Sequence, residues 1–244
     1  MKASFLPLVL LAACVAEEPD APPCGPQAEE SPKNRAPESH FVTSIAAFKP
    51  GSCAGFGGGE LPGVLHGAPR GTGLTQGSLD VLSLGSGGIL ELGFAPIEIV
   101  DGPGVDFVVF ENPFFVGGDT KFPVADLAEV SVSEDGITWT PFPCNAVAKT
   151  PVAPGPPDYG PPPYDMCAGW HPVLASPGSA ASPLDPALSG GDGFDLAAIG
   201  VARAKFVRIR DLGGEVCSTN PSFASTAAGF DLDAIAVVHG GPSR

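Results

Sequence analysis

Short stretches in which apolar and polar residues alternate make up most of the chain from residue 41 onward. Leu90, Leu92 and Phe94 fall on one face of such a stretch, and Val207 and Ile209 do so in another. Alternation with a period of two indicates a β-strand that buries one face. Glycine and proline separate the stretches, as turns require. Strands are therefore predicted at residues 41–48, 79–84, 89–94, 106–110, 129–133, 139–141, 205–210 and 230–239.

One predicted strand is apolar on both faces. Residues 107–110 read Phe-Val-Val-Phe, as expected of a central strand buried between two layers. Residues 134–136 read Glu-Asp-Gly and predict a hairpin turn, because Asp and Gly tolerate positive φ. Only residues 194–199 suggest a helix, and that segment is short. The pattern predicts an all-β sandwich of eight or more strands, in one domain over residues 41–244.

The N-terminal residues follow a different pattern. Lys2 precedes an apolar segment at residues 5–11, which is too short to span a bilayer and is typical of a secretory signal peptide. Residues 11–14 read Leu-Ala-Ala-Cys and resemble the bacterial lipobox, in which the cysteine is lipidated and becomes the new N-terminus. The resemblance implies a signal peptide at residues 1–13 and anchoring through two or three acyl chains on Cys14. A conventional signal peptide with a cysteine near its cleavage site is the alternative.

The residue after the cysteine bears on where the anchor lies. It is Val15 and not Asp, which by resemblance to Gram-negative lipoproteins favours the outer membrane. The following residues, up to position 40, are rich in Glu, Pro, Ala and Ser and contain almost no large apolar side chains, so they cannot bury enough surface to fold. Residues 14–40 are therefore expected to form a flexible linker between the anchor and the folded domain.

A proline-rich insertion at residues 145–166 interrupts the strand pattern, because proline removes the backbone donors that strands and helices need. Cys144 and Cys167 flank it. Thiols oxidise outside the cytoplasm, so a disulfide between these two is predicted to close the insertion. The chain has six cysteines, and with one lipidated the other five cannot all pair. Cys53 with Cys217 is the second predicted pair.

Acidic side chains dominate the charge of the chain. Lys and Arg number 12 against 27 Asp and Glu, which gives a net charge of −15. Such a surface repels phosphate groups, so nucleic acid is not expected as a partner. Spare carboxylates also supply the oxygen ligands that Ca²⁺ prefers. The alternative is that the acidity only maintains solubility.

Several motifs resemble one group of domains. Residues 130–139 read VSVSEDGITW and residues 204–209 read AKFVRI. They resemble, in the same order, a hairpin and a later strand of discoidin or coagulation-factor type C domains. Residues 102–112, 193–196 and 229–235 are similar to bacterial cell-surface proteins of the same galactose-binding-like superfamily. The resemblance implies a jelly-roll sandwich. The chain lacks the paired cysteines that bracket discoidin domains, so phospholipid or galactose binding is not carried over.

Four acidic residues lie where carboxylates are costly. Asp231 and Asp233 share a face with apolar residues of the last predicted strand, and Asp106 and Glu111 flank the buried central strand. Related jelly rolls often hold a structural Ca²⁺ with an acidic residue in the terminal strand. The resemblance therefore implies a Ca²⁺ site formed by Asp231 or Asp233, with Glu111 and Asp106 as partners. The alternative is that these carboxylates cap turns or face solvent.

Aromatic residues cluster around the insertion. Tyr159, Tyr164, Trp170 and His171 lie in or beside it. Exposed aromatic rings stack on sugar rings, and a disulfide-closed loop would hold them in place. These four residues are the predicted ligand-binding set, with ordinary loop packing as the alternative. A second aromatic cluster comprises Phe114, Phe115 and Phe122.

The chain carries no G-x-S-x-G, H-E-x-x-H or Cys-x-x-Cys motif, and its four histidines are widely spaced. The sequence therefore predicts a non-catalytic binding or adhesion module, held to the membrane by its lipid and recognising a cell-surface glycan or protein. Carbohydrate is the ligand class that the resemblance implies. Two alternatives stay open: a structural envelope protein stabilised by Ca²⁺, with no ligand of its own, and a hydrolase acting on polysaccharide or ester substrates.

Overall fold

The computed structural model describes residues 35, 38–71, 73–121, 123–149, 158–214 and 228–244. Within them the chain forms short strands and 3-10 helical turns joined by loops. The strands are β1 (Ser44–Lys49), β2 (Leu82–Ser83), β3 (Ile89–Gly93), β4 (Ile97–Val100), β5 (Phe107–Phe110), β6 (Phe114–Phe115), β7 (Pro123–Val124), β8 (Ala128–Ser133), β9 (Thr140–Pro141), β10 (Cys167–Ala168), β11 (Asp192–Phe194), β12 (Arg203–Ala204), β13 (Phe206–Asp211), β14 (Asp231–Leu232), β15 (Ala234–Val237) and β16 (Gly240–Pro242). The helical turns are Gly58–Glu60, Gly63–Leu65, Val116–Gly118 and Leu196–Ile199. None of the helices in these ranges is long and apolar enough to span a membrane.

The largest sheet is antiparallel and has the strand order β1-β3-β13-β8-β10, with β9 paired to Ser131 and Val132 of β8. In β13, Val207 lies opposite Leu92 of β3 and Val132 of β8. Ile209 repeats this arrangement one step along the sheet, and all of these side chains are buried. The predicted alternation is confirmed, and one face of this sheet forms half of the core.

A second sheet, of order β11-β5-β15, provides the other half of the core. All four residues of β5 are buried. Phe107 and Val109 pack in the main core, whereas Val108 and Phe110 contact a smaller apolar cluster on the other face. The prediction of a central strand buried on both sides is therefore confirmed, and the fold is an all-β sandwich.

The last predicted strand is interrupted. Residues 230–239 form β14 and β15, and Asp233 lies between them with its backbone N–H donated to the carbonyl of Phe110. β14 pairs with β2, whereas β15 pairs with β5. The interruption lets one segment join two sheets, which a simple alternation pattern does not predict.

The predicted hairpin turn between β8 and β9 is present. Gly136 has φ of 73°, and its N–H donates to the hydroxyl of Ser133. Asp135 accepts hydrogen bonds from the backbone N–H groups of Ile137 and Thr138, and these bonds lower its pKa to about 2. The turn residues thus stabilise the hairpin through the conformations that their side chains allow.

The predicted disulfide between Cys144 and Cys167 is present, with a Cα–Cα distance of 4.6 Å. Cys167 lies in β10 at the edge of the large sheet, so the bond attaches the insertion to the sandwich. Cys53 is also disulfide-bonded. Its predicted partner Cys217 lies outside the described residues, as do Cys14 and the predicted signal peptide.

The folded domain includes part of the predicted linker. The guanidinium of Arg35 donates to the carbonyls of Gly63 and Val64 and forms an ion pair with Asp80 at 3.4 Å. His40 contacts the carbonyl of Val237 through Nδ1 at 2.9 Å. The sequence does not predict the contacts of Arg35, because a single arginine in a polar, proline-rich stretch forms no recognisable pattern.

Candidate functional site

The closed insertion brings aromatic rings into a row. Tyr159 and Tyr164 meet edge to face, with ring centroids 6.1 Å apart. Tyr164 meets Trp170 in the same way at 5.6 Å, and the imidazole of His171 lies 3.8 Å from the Trp170 ring. The four side chains that the sequence predicts as ligand-binding are therefore neighbours. We call them the aromatic row.

The two tyrosines of the row use their hydroxyl groups inside the protein. Tyr159 Oη accepts the backbone N–H of Leu127 at 3.0 Å, and Tyr164 Oη donates to the carbonyl of Gly160 at 2.7 Å. Burial raises the pKa of the Tyr159 phenol, and the nearby carboxylate of Asp126 acts in the same direction. The row therefore offers neutral ring surfaces, with its hydroxyl groups engaged internally.

Asp192 positions the other end of the row. It is 4% exposed and lies at the start of β11, whose partner is the buried strand β5. Its Oδ2 accepts the backbone N–H groups of Gly169 at 2.6 Å and Trp170 at 3.2 Å. Its Oδ1 lies 2.6 Å from Nδ1 of His171. One buried carboxylate thus holds three successive residues, and it was not among the residues predicted as ligand-binding.

Glycines make this close approach sterically feasible. Gly169 has φ of 103°, and a Cβ placed on it would lie 2.0 Å from the carbonyl oxygen of Asp126. Gly190 has φ of 69°, and a Cβ there would lie 2.1 Å from the carbonyl oxygen of Pro172. Any other residue would push the segment of Trp170 and His171 away from the sandwich. The Gly-Gly-Asp-Gly sequence at 190–193 is the signal that could have identified Asp192.

A cavity of about 400 Å³ opens beside the aromatic row. All four members of the row line it. Phe115 adds a fifth ring, from the second aromatic cluster of the sequence, whereas Phe122 lies outside the described residues. Thr120 and Asp158 supply polar groups at the edge, and no lysine or arginine of the described residues lines the cavity. A volume of this size, mostly apolar with a few polar groups, is typical of small-ligand sites.

The four predicted metal ligands do not meet in one cluster. Asp106 and Glu111 stand at opposite ends of β5, about 16 Å apart at the usual rise of a strand. Oδ1 of Asp106 accepts the N–H of Gly102 and contacts His239, both at 2.8 Å, and Oδ2 accepts the N–H of Leu196 at 2.7 Å. Both oxygens are therefore engaged in holding loops together.

The carboxylate of Asp233 is engaged elsewhere, away from Glu111 and Asp231. Its Oδ1 and Oδ2 accept the backbone N–H of Arg70 at 2.9 and 2.8 Å. Burial raises its pKa to about 7, and the nearby Asp80 adds to the shift. The predicted metal set is therefore reduced to Glu111 and Asp231.

Glu111 and Asp231 are neighbours in a buried, acidic environment. The N–H of Asp231 donates to Oε1 of Glu111 at 3.2 Å. Oε2 of Glu111 and Oδ1 of Asp231 are buried and accept no hydrogen bond from the described residues. Burial raises the pKa of Glu111 well above its ordinary value, and the carboxylates of Asp231 and Asp126 add to this. Burial also raises the pKa of Asp231, to about 6. Such oxygens are costly unless a proton or a cation satisfies them.

A different acidic cluster lies at the N-terminal end of β5. Carboxylate oxygens of Asp101, Asp106 and Asp195 lie within 4.8 Å of one another. The oxygens of Asp106 are already hydrogen-bonded, and Asp195 caps the helical turn Leu196–Ile199 by accepting the N–H of Ala197. These contacts explain Asp106 and Asp195 as residues that hold loops together, whereas Asp101 is exposed.

The contact between His171 and Asp192 has the geometry of a catalytic pair, in which a carboxylate orients an imidazole. Among the described residues, no Ser, Thr or Cys side chain forms a hydrogen bond with that imidazole.

No known family model matches the chain, and no curated protein is similar to it in sequence. Functional inference therefore rests on the residues and geometry of the chain itself.

Proposed function

We propose that this protein is a non-catalytic, lipid-anchored module of the bacterial cell surface that binds carbohydrate in the cavity beside the aromatic row. The observation that carries the proposal is the cavity itself, about 400 Å³ in volume and lined by Tyr159, Tyr164, Trp170 and His171. These residues are held in place by a disulfide and a buried carboxylate, so the binding surface is formed before a ligand arrives.

The chemistry of the lining favours a sugar. The apolar faces of sugar rings pack against aromatic side chains, and their hydroxyl groups need a few polar partners at the edge. Phe115 and Trp170 supply ring surface, and Thr120 and Asp158 supply hydrogen-bonding groups. The imidazole of His171 is held by Asp192 through Nδ1 and can use its other nitrogen to contact a hydroxyl.

Charge favours a neutral sugar over an acidic one. An anionic glycan would need lysine or arginine partners, and none of the described residues that line the cavity is either. Lys149 pairs with Asp158 at 3.8 Å, but both side chains are largely exposed, so this pair adds little. The net charge of −15 also repels acidic polymers.

The lipid anchor is supported by sequence alone. Residues 11–14 resemble a lipobox, and a polar, proline-rich segment follows Cys14. An extracytoplasmic location agrees with the disulfide between Cys144 and Cys167, since such bonds persist in oxidising compartments. A tethered binding module of this kind would present its cavity to glycans of the cell surface.

Calorimetric titration tests the carbohydrate proposal. The probes are cello-, manno- and N-acetylchito-oligosaccharides of one to six units, titrated into the folded domain. We expect at least one series to bind, and Trp170→Ala to weaken that binding about tenfold or more, because it removes a central aromatic contact. Trp139→Ala is the matched control, since the chain has two tryptophans and Trp139 packs under Arg208 on the large sheet, 3.9 Å from its guanidinium carbon. Absence of binding in every series, or equal loss in both variants, would overturn the proposal.

A second candidate function is structural Ca²⁺ binding at Glu111 and Asp231. The buried oxygens without hydrogen bonds on these two residues favour it, because a cation would satisfy both. We expect Ca²⁺ to raise the melting temperature of chelator-treated protein, and Glu111→Gln to abolish this effect. Asp101→Asn, at the other acidic cluster, is the control. If Ca²⁺ neither binds nor shifts the melting temperature, the pair instead holds a proton.

A further inference from the structure

A second cavity, of about 450 Å³, adjoins the first at the aromatic row. Tyr164, Trp170 and His171 line both cavities, so they form a shared wall, which we call the ridge. The carboxylate of Asp192 holds Trp170 and His171 of this ridge, and Asp192 is also one of the residues that line the second cavity. The two cavities are therefore adjacent parts of one surface with a shared wall.

The second cavity exposes apolar side chains that the core does not use. Met166 is 37% exposed and Leu174 is 43% exposed, and both line it. Met166 also has φ of 57°, a backbone conformation that is strained for any residue with a side chain. Strained residues are frequent at ligand-contacting positions, where the surrounding structure keeps them in place. Here the disulfide at the adjacent Cys167 provides that constraint.

The polar groups of the second cavity match those of the first in sign. Asp165 is exposed and contributes a carboxylate, Gly190 and Gly191 contribute backbone groups, and no lysine or arginine of the described residues lines it. Carboxylates and carbonyls accept hydrogen bonds from hydroxyl groups, whereas they repel anions. The same class of ligand, a neutral polyhydroxylated molecule, therefore suits both cavities.

We propose that the second cavity is a sugar subsite, and that the ligand is a neutral oligosaccharide which crosses the ridge and places sugar units on both sides of it. This inference rests on the proposed carbohydrate function. Trp170 and His171 contact the oligosaccharide where it crosses the ridge. Met166 and Leu174 pack against the sugar unit in the second cavity. The protein then selects oligosaccharides over single sugars.

Chain-length dependence tests the subsite. Affinity of the wild-type protein is measured for one to six units of whichever neutral series binds, and again for Ala187→Trp. Ala187 is exposed and lines the second cavity but not the first, so we expect a tryptophan there to fill the second cavity without disturbing the core. We expect wild-type affinity to rise at least tenfold from the monosaccharide to the oligosaccharide. In Ala187→Trp the monosaccharide should bind as before, and the gain with length should disappear.

A second pair of variants, with smaller changes in side-chain size, also tests whether the second cavity contributes to binding. Leu174→Ser removes an apolar contact of the second cavity, whereas Leu188→Ser changes a comparably exposed leucine that does not line it. Oligosaccharide affinity should fall in the first variant only. If sugars bind but Ala187→Trp leaves the length dependence intact, the subsite is wrong and the first cavity alone is the site. If no sugar of any length binds, both proposals fail together.

Discussion

His171 and Asp192 are joined by a contact of 2.6 Å between the imidazole Nδ1 and a carboxylate oxygen, although the two residues come from different segments. Asp192 is buried and its carboxylate acts as the acceptor, so Nδ1 of the imidazole is the donor in this contact. The same carboxylate holds the backbone of Gly169 and Trp170. The contact therefore links the central strands of the sandwich to the ridge between the two cavities.

Replacing Asp192 should disorganise the ridge. In Asp192→Asn, one oxygen becomes an amide that cannot accept the N–H groups it faces, so at least one of the three contacts is lost. Hydrogen bonds to a charged group contribute about 1.5–3 kcal/mol, so the free energy of unfolding should fall by about that amount. Carbohydrate affinity should fall as well. Urea denaturation measures the unfolding free energy, and calorimetric titration measures the affinity. The control Asp101→Asn, at an exposed carboxylate, should change neither quantity. If both variants change these quantities equally, the role assigned to Asp192 is wrong.

Removing the disulfide should affect both stability and binding. The bond closes a loop with a sequence separation of 23 residues, so the double variant Cys144→Ser with Cys167→Ser should lose about 3 kcal/mol of unfolding free energy. Tyr159 and Tyr164 lie inside that loop, so ligand affinity should drop too. Urea denaturation and titration of the same sample measure the two effects. Unchanged affinity in a folded variant would show that the loop residues do not contribute to the site.

Stability should decrease as pH rises towards neutrality when Ca²⁺ is removed by a chelator. The pKa of Asp231 is raised from 3.8 to about 6 and that of Asp233 to about 7, in both cases chiefly by burial. The folded protein therefore binds these protons more tightly than the unfolded chain does. Unfolding free energy is then highest near pH 4 and falls between pH 4 and 7. Glu111 shifts in the same direction.

Thermal denaturation across this pH range provides the measurement. Asp231→Asn should make the curve less steep between pH 4 and 6, because one of the carboxyl groups that stay protonated only in the folded state is removed, whereas Asp233 and Glu111 continue to contribute. A profile that instead rises steadily from pH 4 to 7 would contradict the raised pKa values. The Asp135 carboxylate, whose pKa is lowered to about 2, acts only at more acidic pH.

The proposed lipid anchor predicts a change of location when Cys14 is replaced. Cys14→Ser removes the thiol that would be acylated, so the protein should move from the membrane fraction to the soluble extracytoplasmic fraction. Mass spectrometry of the wild-type N-terminal peptide should detect acyl chains on Cys14. Wild-type protein that is soluble and unmodified at that cysteine would instead support the conventional signal peptide.

Much of the sandwich could be predicted because its main strands bury one face. Val207 and Ile209 alternate with charged neighbours. The uninterrupted apolar run Phe107–Phe110 indicates a strand that is covered on both faces. Short strands such as β4 and β12 could not be predicted in this way. Their two to four residues are too few to show a period, and they are defined by the partners with which they pair.

The two candidate sites differ in how far the sequence could predict them. The aromatic row was predictable because its members lie close together in the chain, around an insertion that a disulfide closes. The four predicted metal ligands do not come together, because Asp106 and Glu111 stand at opposite ends of a strand and the carboxylate of Asp233 accepts the backbone N–H of Arg70; only Glu111 and Asp231 are neighbours. Period-two counting cannot anticipate the break between β14 and β15. The glycines around Asp192 mark a close approach of backbone, but its contact with His171 depends on β11 pairing with β5, which the sequence does not show.

The fluorescence of Trp170 tests the central claim most directly. In Trp139→Phe the only remaining tryptophan lies on the ridge between the cavities. Titration with the neutral oligosaccharide series should shift or quench its emission saturably, with the same midpoint that calorimetry measures for wild-type protein. Emission that stays constant at saturating oligosaccharide, in a variant that still binds by calorimetry, would show that the ligand binds elsewhere and would contradict the account.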